Sequence, residues 1–303
     1  MNTPGEQLIE LVTMAQQDVI LVAPFIKIGA LRRVLGSIDD RVSVHCVTRW
    51  RPEEIAAGVS DLAVWDVLSE RPRSSLWLQS HLHAKYYRAD DQCLVGSANL
   101  TATALGWVQP PNLELLIAHP AAELEAFENL VFSRSREVTA DLVQATQTLV
   151  DALRQEAAVE LIDSASATEN DARPEIWIPA LANPALFYEC YTDPRQVHPD
   201  DWADGMNDLD YLRPPRGLSE QRFSHYIGWL LLQQPLIRDI DDMLIVPQRF
   251  GAVRQFLKAT PYAQNERFDA TRTWQILLDW LLYFLPQRYH RVPSRHSEVL
   301  ART

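Results

Sequence analysis

Between residues 81 and 99 the chain reads HLHAKYYRADDQCLVGSAN, which sets His83, Lys85 and Asp90 a few residues ahead of Gly96, Ser97 and Asn99. An imidazole, an ammonium, a hydroxyl and an amide in one short window are the groups that phosphodiester cleavage calls for. Neutral imidazole can attack phosphorus, while Lys85, Ser97 and Asn99 can hold the charged nonbridging oxygens. A carboxylate behind the histidine would fix its tautomer and raise its basicity. On an extended strand successive side chains alternate, so His83 and Lys85, two apart, are expected to share a face.

These residues need a scaffold, and the first half of the chain supplies an alternating one. Leu8 to Gln16 has helical spacing, Asp18 to Ala23 is a continuous apolar run, Ile28 to Leu35 is helical again, and Val42 to Val47 reads as a second strand. A helix over Leu62 to Leu68 and strands at Leu76 to Leu78, His83 to Tyr87, Gln92 to Val95 and Leu113 to Ala118 complete an α/β pattern with a central mixed sheet. The two halves of the reactive window then fall on adjacent strands. Lys27 and Arg49 lie at C-terminal ends of strands, where ligands of open α/β sheets collect. Each reads equally well as a substrate contact and as a solvated loop cation.

From Ala121 to Ile162 the chain reads as almost entirely helical. The polar stretch 163–174 (DSASATENDARP) is the linker, so residues 1–162 form one domain and 175–303 another. The second is mainly helical, with patterns at Glu220 to Gln233, Ile240 to Lys258 and Thr271 to Phe284 after an aromatic, proline-rich entry from Trp177 to Pro215. That entry reads as the core of a small domain. The apolar burst Ile227 to Leu232 is too short to span a bilayer and reads as a core helix. The basic and aromatic segment Pro286 to His296 reads both as a nucleic-acid contact and as ordinary surface charge.

Composition limits the classes. At 303 residues and 47% hydrophobic content the chain can fill proper cores. Its net charge of -12 argues against a surface wrapped in nucleic acid but leaves room for a local basic groove. Three cysteines without CxxC spacing suggest neither a disulfide framework nor a zinc module, and Cys46, Cys93 and Cys190 are expected to be small buried residues. No signal-like N-terminus or long apolar run is seen, so the expected compartment is the cytoplasm, with no membrane partner.

His83-x-Lys85-x4-Asp90 followed by Gly96-Ser97-Ala98-Asn99 resembles the HKD signature of the phospholipase D superfamily, HxKx4D and then GSxN, with both halves complete. Asn112-Leu113-Glu114 is similar to the N-x-E element that supplies an acidic partner in nucleases of this superfamily. The resemblance covers residues 5 to 135. It implies a phospholipase D-like mixed β-sheet flanked by helices, and a metal-independent phosphodiesterase that cleaves nucleic acid through a phosphohistidine on His83, without a cofactor. No clustered carboxylates at two-metal spacing and no Cys/His cage occur in this half, in keeping with that chemistry.

Carried onto this sequence, the resemblance makes Glu114 the group that orients His83, in preference to a surface carboxylate. It makes Asp90 architectural rather than catalytic, and gives Gly96 to the turn, where a small residue lets backbone approach a phosphate. His81 reads as a half-buried supporting histidine ahead of a second base. Many members carry two HKD motifs, but no second HxK exists here: His290 and His296 lack a lysine two residues on. Single-motif members pair two chains, which implies a homodimer through the catalytic domain with two copies of His83 facing each other. Nucleic acid, DNA ahead of RNA, is the expected substrate, with phospholipid the alternative. A nuclease beside an unfamiliar helical domain is also similar to components of bacterial restriction or anti-phage defence systems. That implies a helicase or other defence-system partner, or a subunit active only within a larger DNA-processing complex.

Overall fold

Short apolar runs bounded by turn residues become strands, and stretches with 3.6-residue periodicity become the helices that cover them. A computed structural model describes residues 2–154, 177–193, 197–264, 268–292 and 299–302, and the chain divides into two compact units, Met1–Leu161 and Ile162–Thr303. The first unit runs α1 (Pro4–Thr13), β1 (Asp18–Val22), α2 (Ile28–Leu35), β2 (Ser43–Thr48), α3 (Pro52–Ala56), α4 (Val64–Glu70) and β3 (Ser74–Leu78). It continues through β4 (Lys85–Ala89), β5 (Gln92–Gly96), β6 (Leu116–Pro120), α5 (Glu125–Ser133), β7 (Arg136–Glu137) and α6 (Ala140–Arg154). The expected linker 163–174 lies outside the described residues.

Seven strands form one mixed sheet in the order β6-β5-β4-β1-β2-β3-β7. β1, β2 and β3 run parallel, and every other neighbouring pair is antiparallel. Helices flank it: α1 opens with a Thr3–Glu6 capping box and buries Leu8, Leu11 and Val12, while α2 buries Leu31, Val34 and Leu35. Each such side chain, fully buried, contributes about 1.5–3 kcal/mol.

The expectation of an almost entirely helical segment after Ala121 is corrected by β7. Leu78 pairs with Arg136 and Trp77 with Glu137, so this short strand closes the edge that β3 would otherwise expose. Sheet pairing, which periodicity cannot display, overrides the local helical preference there. Residues 155–162 of the expected helix lie outside the described residues.

The second unit contains α7 (Phe187–Thr192), α8 (Pro199–Leu212), α9 (Glu220–Leu232), α10 (Pro235–Met243), β8 (Gln248–Arg249), α11 (Phe250–Ala259), α12 (Ala270–Phe284), β9 (Tyr289–Val292) and β10 (Val299–Arg302). The three strands form a small sheet in the order β8-β10-β9. Trp177, Phe187 and Trp280 meet in its aromatic core, with ring centroids 5.4 and 4.8 Å from that of Trp280, and the burst Ile227 to Leu232 is buried within α9. One expectation changes here. Ile240 to Lys258 is two helices rather than one, because Pro247 has no N–H to continue the ladder and Gln248–Arg249 pair with β10 instead. Of the basic and aromatic segment, residues 293–296 lie outside the described residues; His290 and Arg291 are exposed, while Tyr289 is buried and, with Arg288 and Arg302, hydrogen-bonds the buried carboxylate of Asp241. Among the described residues no helix is long and apolar enough to cross a membrane, and all three cysteines are buried and free.

Candidate active site

Because β4 runs antiparallel to β1, its beginning lies beside the C-terminal ends of β1, β2 and β3, the edge at which open α/β sheets bind ligands. Lys85, the first residue of β4, pairs with Gly96, the last of β5, and Gly96 in turn pairs with Leu116 at the start of β6. His83, Lys85, Gly96, Ser97, Asn99 and Glu114 are thereby gathered at one edge of the sheet. Both flanking strands begin later than the sequence suggested. β4 starts at Lys85 and β6 at Leu116, so His83 and Glu114 project from the segments that lead into them. Strand alternation therefore does not set the direction of His83; the conformation of 79–84 does.

His83 is exposed, and its pKa lies below the ordinary histidine value because of the Lys85 ammonium first, then partial burial and the Arg49 guanidinium. Both cations disfavour protonation of the ring. Lys85 donates through Nζ to the carbonyl of His83 at 2.7 Å, and burial, with Arg49, lowers its own pKa against an opposing pull from Glu114.

The Ser97–Asn99 turn is anchored from several sides. Tyr87, buried on β4, donates its hydroxyl to the carbonyl of Ala98 at 2.7 Å, and Leu100 pairs with Ile26 beyond the end of β1. Asn99 accepts the N–H of Phe25 on Oδ1 at 3.3 Å, which leaves its Nδ2 as the available donor. Ser97 donates to Glu114 and accepts the N–H of Leu115 at 3.1 Å. Glu114 also accepts from Asn112 Nδ2 at 3.1 Å, so its partners are Ser97 and Asn112 where His83 was expected. Its segment enters the sheet beside β5, which brings the carboxylate to Ser97. Gly96 meets a steric demand: a Cβ there would stand 1.9 Å from the carbonyl oxygen of Leu115.

Three further residues are held by partners of their own. Asp90 sits at the opposite end of β4, where it accepts the backbone N–H groups of Gln16, Gln17 and Asp18 at 2.8–3.1 Å; it is architectural. Lys27 is committed to Asp61 at 2.6 Å and to the carbonyl of Gly58 at 3.0 Å, and so braces a loop. Arg49 is buried against Glu54 and donates to the carbonyl of Leu82, one residue before His83. His81 is half-buried. Glu54, Phe25 and Tyr87 belong to the site although sequence reasoning passed over them. The Arg49–Glu54 charge pair five residues apart was the only visible signal, since a tyrosine hydroxyl aimed at a turn leaves none. Among the described residues no group of three or more His, Cys, Asp or Glu could hold a metal ion.

A mixed sheet flanked by helices, with a complete HxKx4D and GSxN motif at the C-terminal edge of its parallel strands, defines the first unit as phospholipase D-like in fold. No protein-family model and no curated protein matches the chain. Among solved structures it is similar to NucT from Helicobacter pylori, with 19% identity, a TM-score of 0.34, and coverage of 42% of this chain and 84% of that one. It is also similar to TrmBL2, an archaeal chromatin protein described as showing a novel mode of DNA binding, with 15% identity, a TM-score of 0.32 and coverage of 46% and 53%. A third is phosphatidylserine synthase from Haemophilus influenzae Rd KW20, with 15% identity, a TM-score of 0.38 and coverage of 75% and 68%.

Proposed function

We propose that the chain is a metal-independent phosphodiesterase of the nuclease type, in which His83 attacks phosphorus of a nucleic-acid backbone, DNA ahead of RNA. The observation that carries this reading is the gathering of His83, Lys85, Ser97 and Asn99, on motif spacing, at one edge of the sheet, with Lys85 bonded to the His83 carbonyl and Asn99 holding the N–H of Phe25 through Oδ1. The imidazole nitrogen forms a bond to phosphorus as the bond to the leaving oxygen breaks. That oxygen takes a proton from the imidazolium of His83 of the partner subunit in a homodimer. Water then attacks phosphorus, the N–P bond breaks, and the same second imidazole accepts the proton of the water. Lys85 and Asn99 hold the nonbridging oxygens throughout. Ser97 joins them only by giving up its bond to Glu114, so Glu114 acts on the site through Ser97.

A second reading has its own support. Lys27 and Arg49 are both committed to carboxylates, and the chain carries a net charge of -12, so the backbone attraction that nucleic-acid enzymes draw on is weak at this edge. A partner, such as a helicase in a bacterial defence complex, would then present the substrate and restrain the nuclease.

The test is cleavage of single- and double-stranded DNA and RNA by the purified protein in EDTA, with His83→Ala in parallel. Metal-free cutting lost in the variant by a factor of at least about 10³ supports the first reading. Cutting that persists in the variant sinks it, and silence from a well-folded dimer moves the weight to the partner-dependent subunit.

A further inference from the structure

Arg49 is only 4% exposed and Glu54 only 7%. The guanidinium is divided three ways. Nε, at 3.2 Å, and Nη2 both donate to the Glu54 carboxylate, Nη1 donates to the carbonyl of Leu82 at 3.1 Å, and the face of the group lies 5.3 Å from the Phe25 ring centroid. Four chain segments converge on this one side chain: the end of β2 that carries it, α3 through Glu54, the approach to β4 through Leu82, and the segment after β1 through Phe25. Phe25 in turn donates its N–H to Asn99. Burying two charges costs several kcal/mol per ion, and well-packed apolar replacements are commonly neutral or stabilising. Stability alone is therefore a poor reason for the pair to brace the residue before His83.

We propose, resting on the phosphodiesterase reading above, that Arg49 is a positioning residue: clamped by Glu54, it fixes the main chain from which His83 projects and sets a permanent positive charge beside the imidazole. The charged groups that act on His83 are the Lys85 ammonium first and Arg49 next, and both oppose protonation of the ring. Glu114 is taken up by Ser97 and Asn112, so it does not offset them. Lysine cannot replace Arg49, because one ammonium on a flexible stem cannot reproduce the planar fork and the third bond together.

The experiment uses the full-length protein, with Arg49→Lys and the double variant Arg49→Met/Glu54→Gln, which removes both charges and leaves no orphan carboxylate. Three quantities are read: the His83 ring-proton titration by NMR, kcat and KM against pH on bis(p-nitrophenyl) phosphate, and the melting temperature. In the double variant the His83 midpoint rises toward the ordinary value and the acid limb of kcat/KM moves up with it. In Arg49→Lys the midpoint stays in place while kcat falls about tenfold or more at little-changed KM, as expected for a displaced nucleophile. A double variant with wild-type midpoint and acid limb overturns the proposal whatever its melting temperature. So does an Arg49→Lys enzyme with wild-type kcat, which decides the matter if the double variant does not fold. If the wild-type protein alone cleaves no phosphodiester, the weight moves to the partner-dependent reading, and the NMR titration still shows whether Arg49 acts on His83.

Discussion

At the turn between β4 and β5 the backbone of Asp90 takes φ 51°, a left-handed conformation that Asp tolerates better than most residues. Partial burial pushes its carboxyl up, but the N–H groups of Gln16, Asp18 and Gln17 outweigh that, so its pKa lies below the usual carboxylate value. A depressed carboxylate contributes stability that is present above its unfolded pKa and lost as pH falls through the folded one. Asp90→Ala, which orphans three N–H groups and keeps an unsuited residue at positive φ, is expected to cost about 2–3 kcal/mol at neutral pH, read from denaturant unfolding. That difference should narrow as the pH drops below the ordinary carboxylate range; a constant difference would mean that the charge is not the agent. Among single residues the sequence was most legible where types and spacing matter together: His83, Lys85, Ser97 and Asn99 all gather at one edge of the sheet. It was least legible for Lys27, Arg49 and Glu114, because a side chain's partner comes from elsewhere in the chain and local spacing does not name it.

The reactive edge depends on how β4, β5 and β6 meet, and Gly96 is the tightest point of that meeting. A methyl there would strike the backbone of Leu115, so β6 would have to step away and carry Leu115 and Glu114 with it. Gly96→Ala is expected to destabilise the protein by about 1–3 kcal/mol and to lower activity by more than that loss of stability explains, read from melting curves and turnover on the same sample. Wild-type values for both would show that the edge strand is free to move. Elements with strong patterns were readable in advance: α2 spans Ile28–Leu35 as its periodicity indicates, and β1 starts at Asp18. The starts of β4 and β6, the break between α10 and α11 and the existence of β7 were not, because hydrogen bonds to a neighbouring strand decide them and a linear pattern does not record the neighbour.

For the molecule as a whole, the proposed shared site needs a second copy, and the residues leading into β6 offer a surface for one. Leu113, Leu115 and Ile117 face outward, while Glu114 is half-buried and Leu116 buried, so an apolar row runs along the sheet edge next to the site. Replacing Leu115 and Ile117 together by Glu is expected to give a monomer by light scattering and to lower cleavage by at least about tenfold with the melting temperature preserved. An active wild-type monomer would remove the shared-site mechanism. By itself the amino-acid sequence determined the motif spacing, the α/β character of the first half and the helical character of the second, since these follow from residue types, spacing and periodicity. Only the tertiary structure decided that Arg49 holds the carbonyl of Leu82 next to His83, that Glu114 binds Ser97, and that Lys27 is bound to Asp61. The physical reason is that burial, charge pairing and sheet register depend on groups brought together from distant parts of the chain.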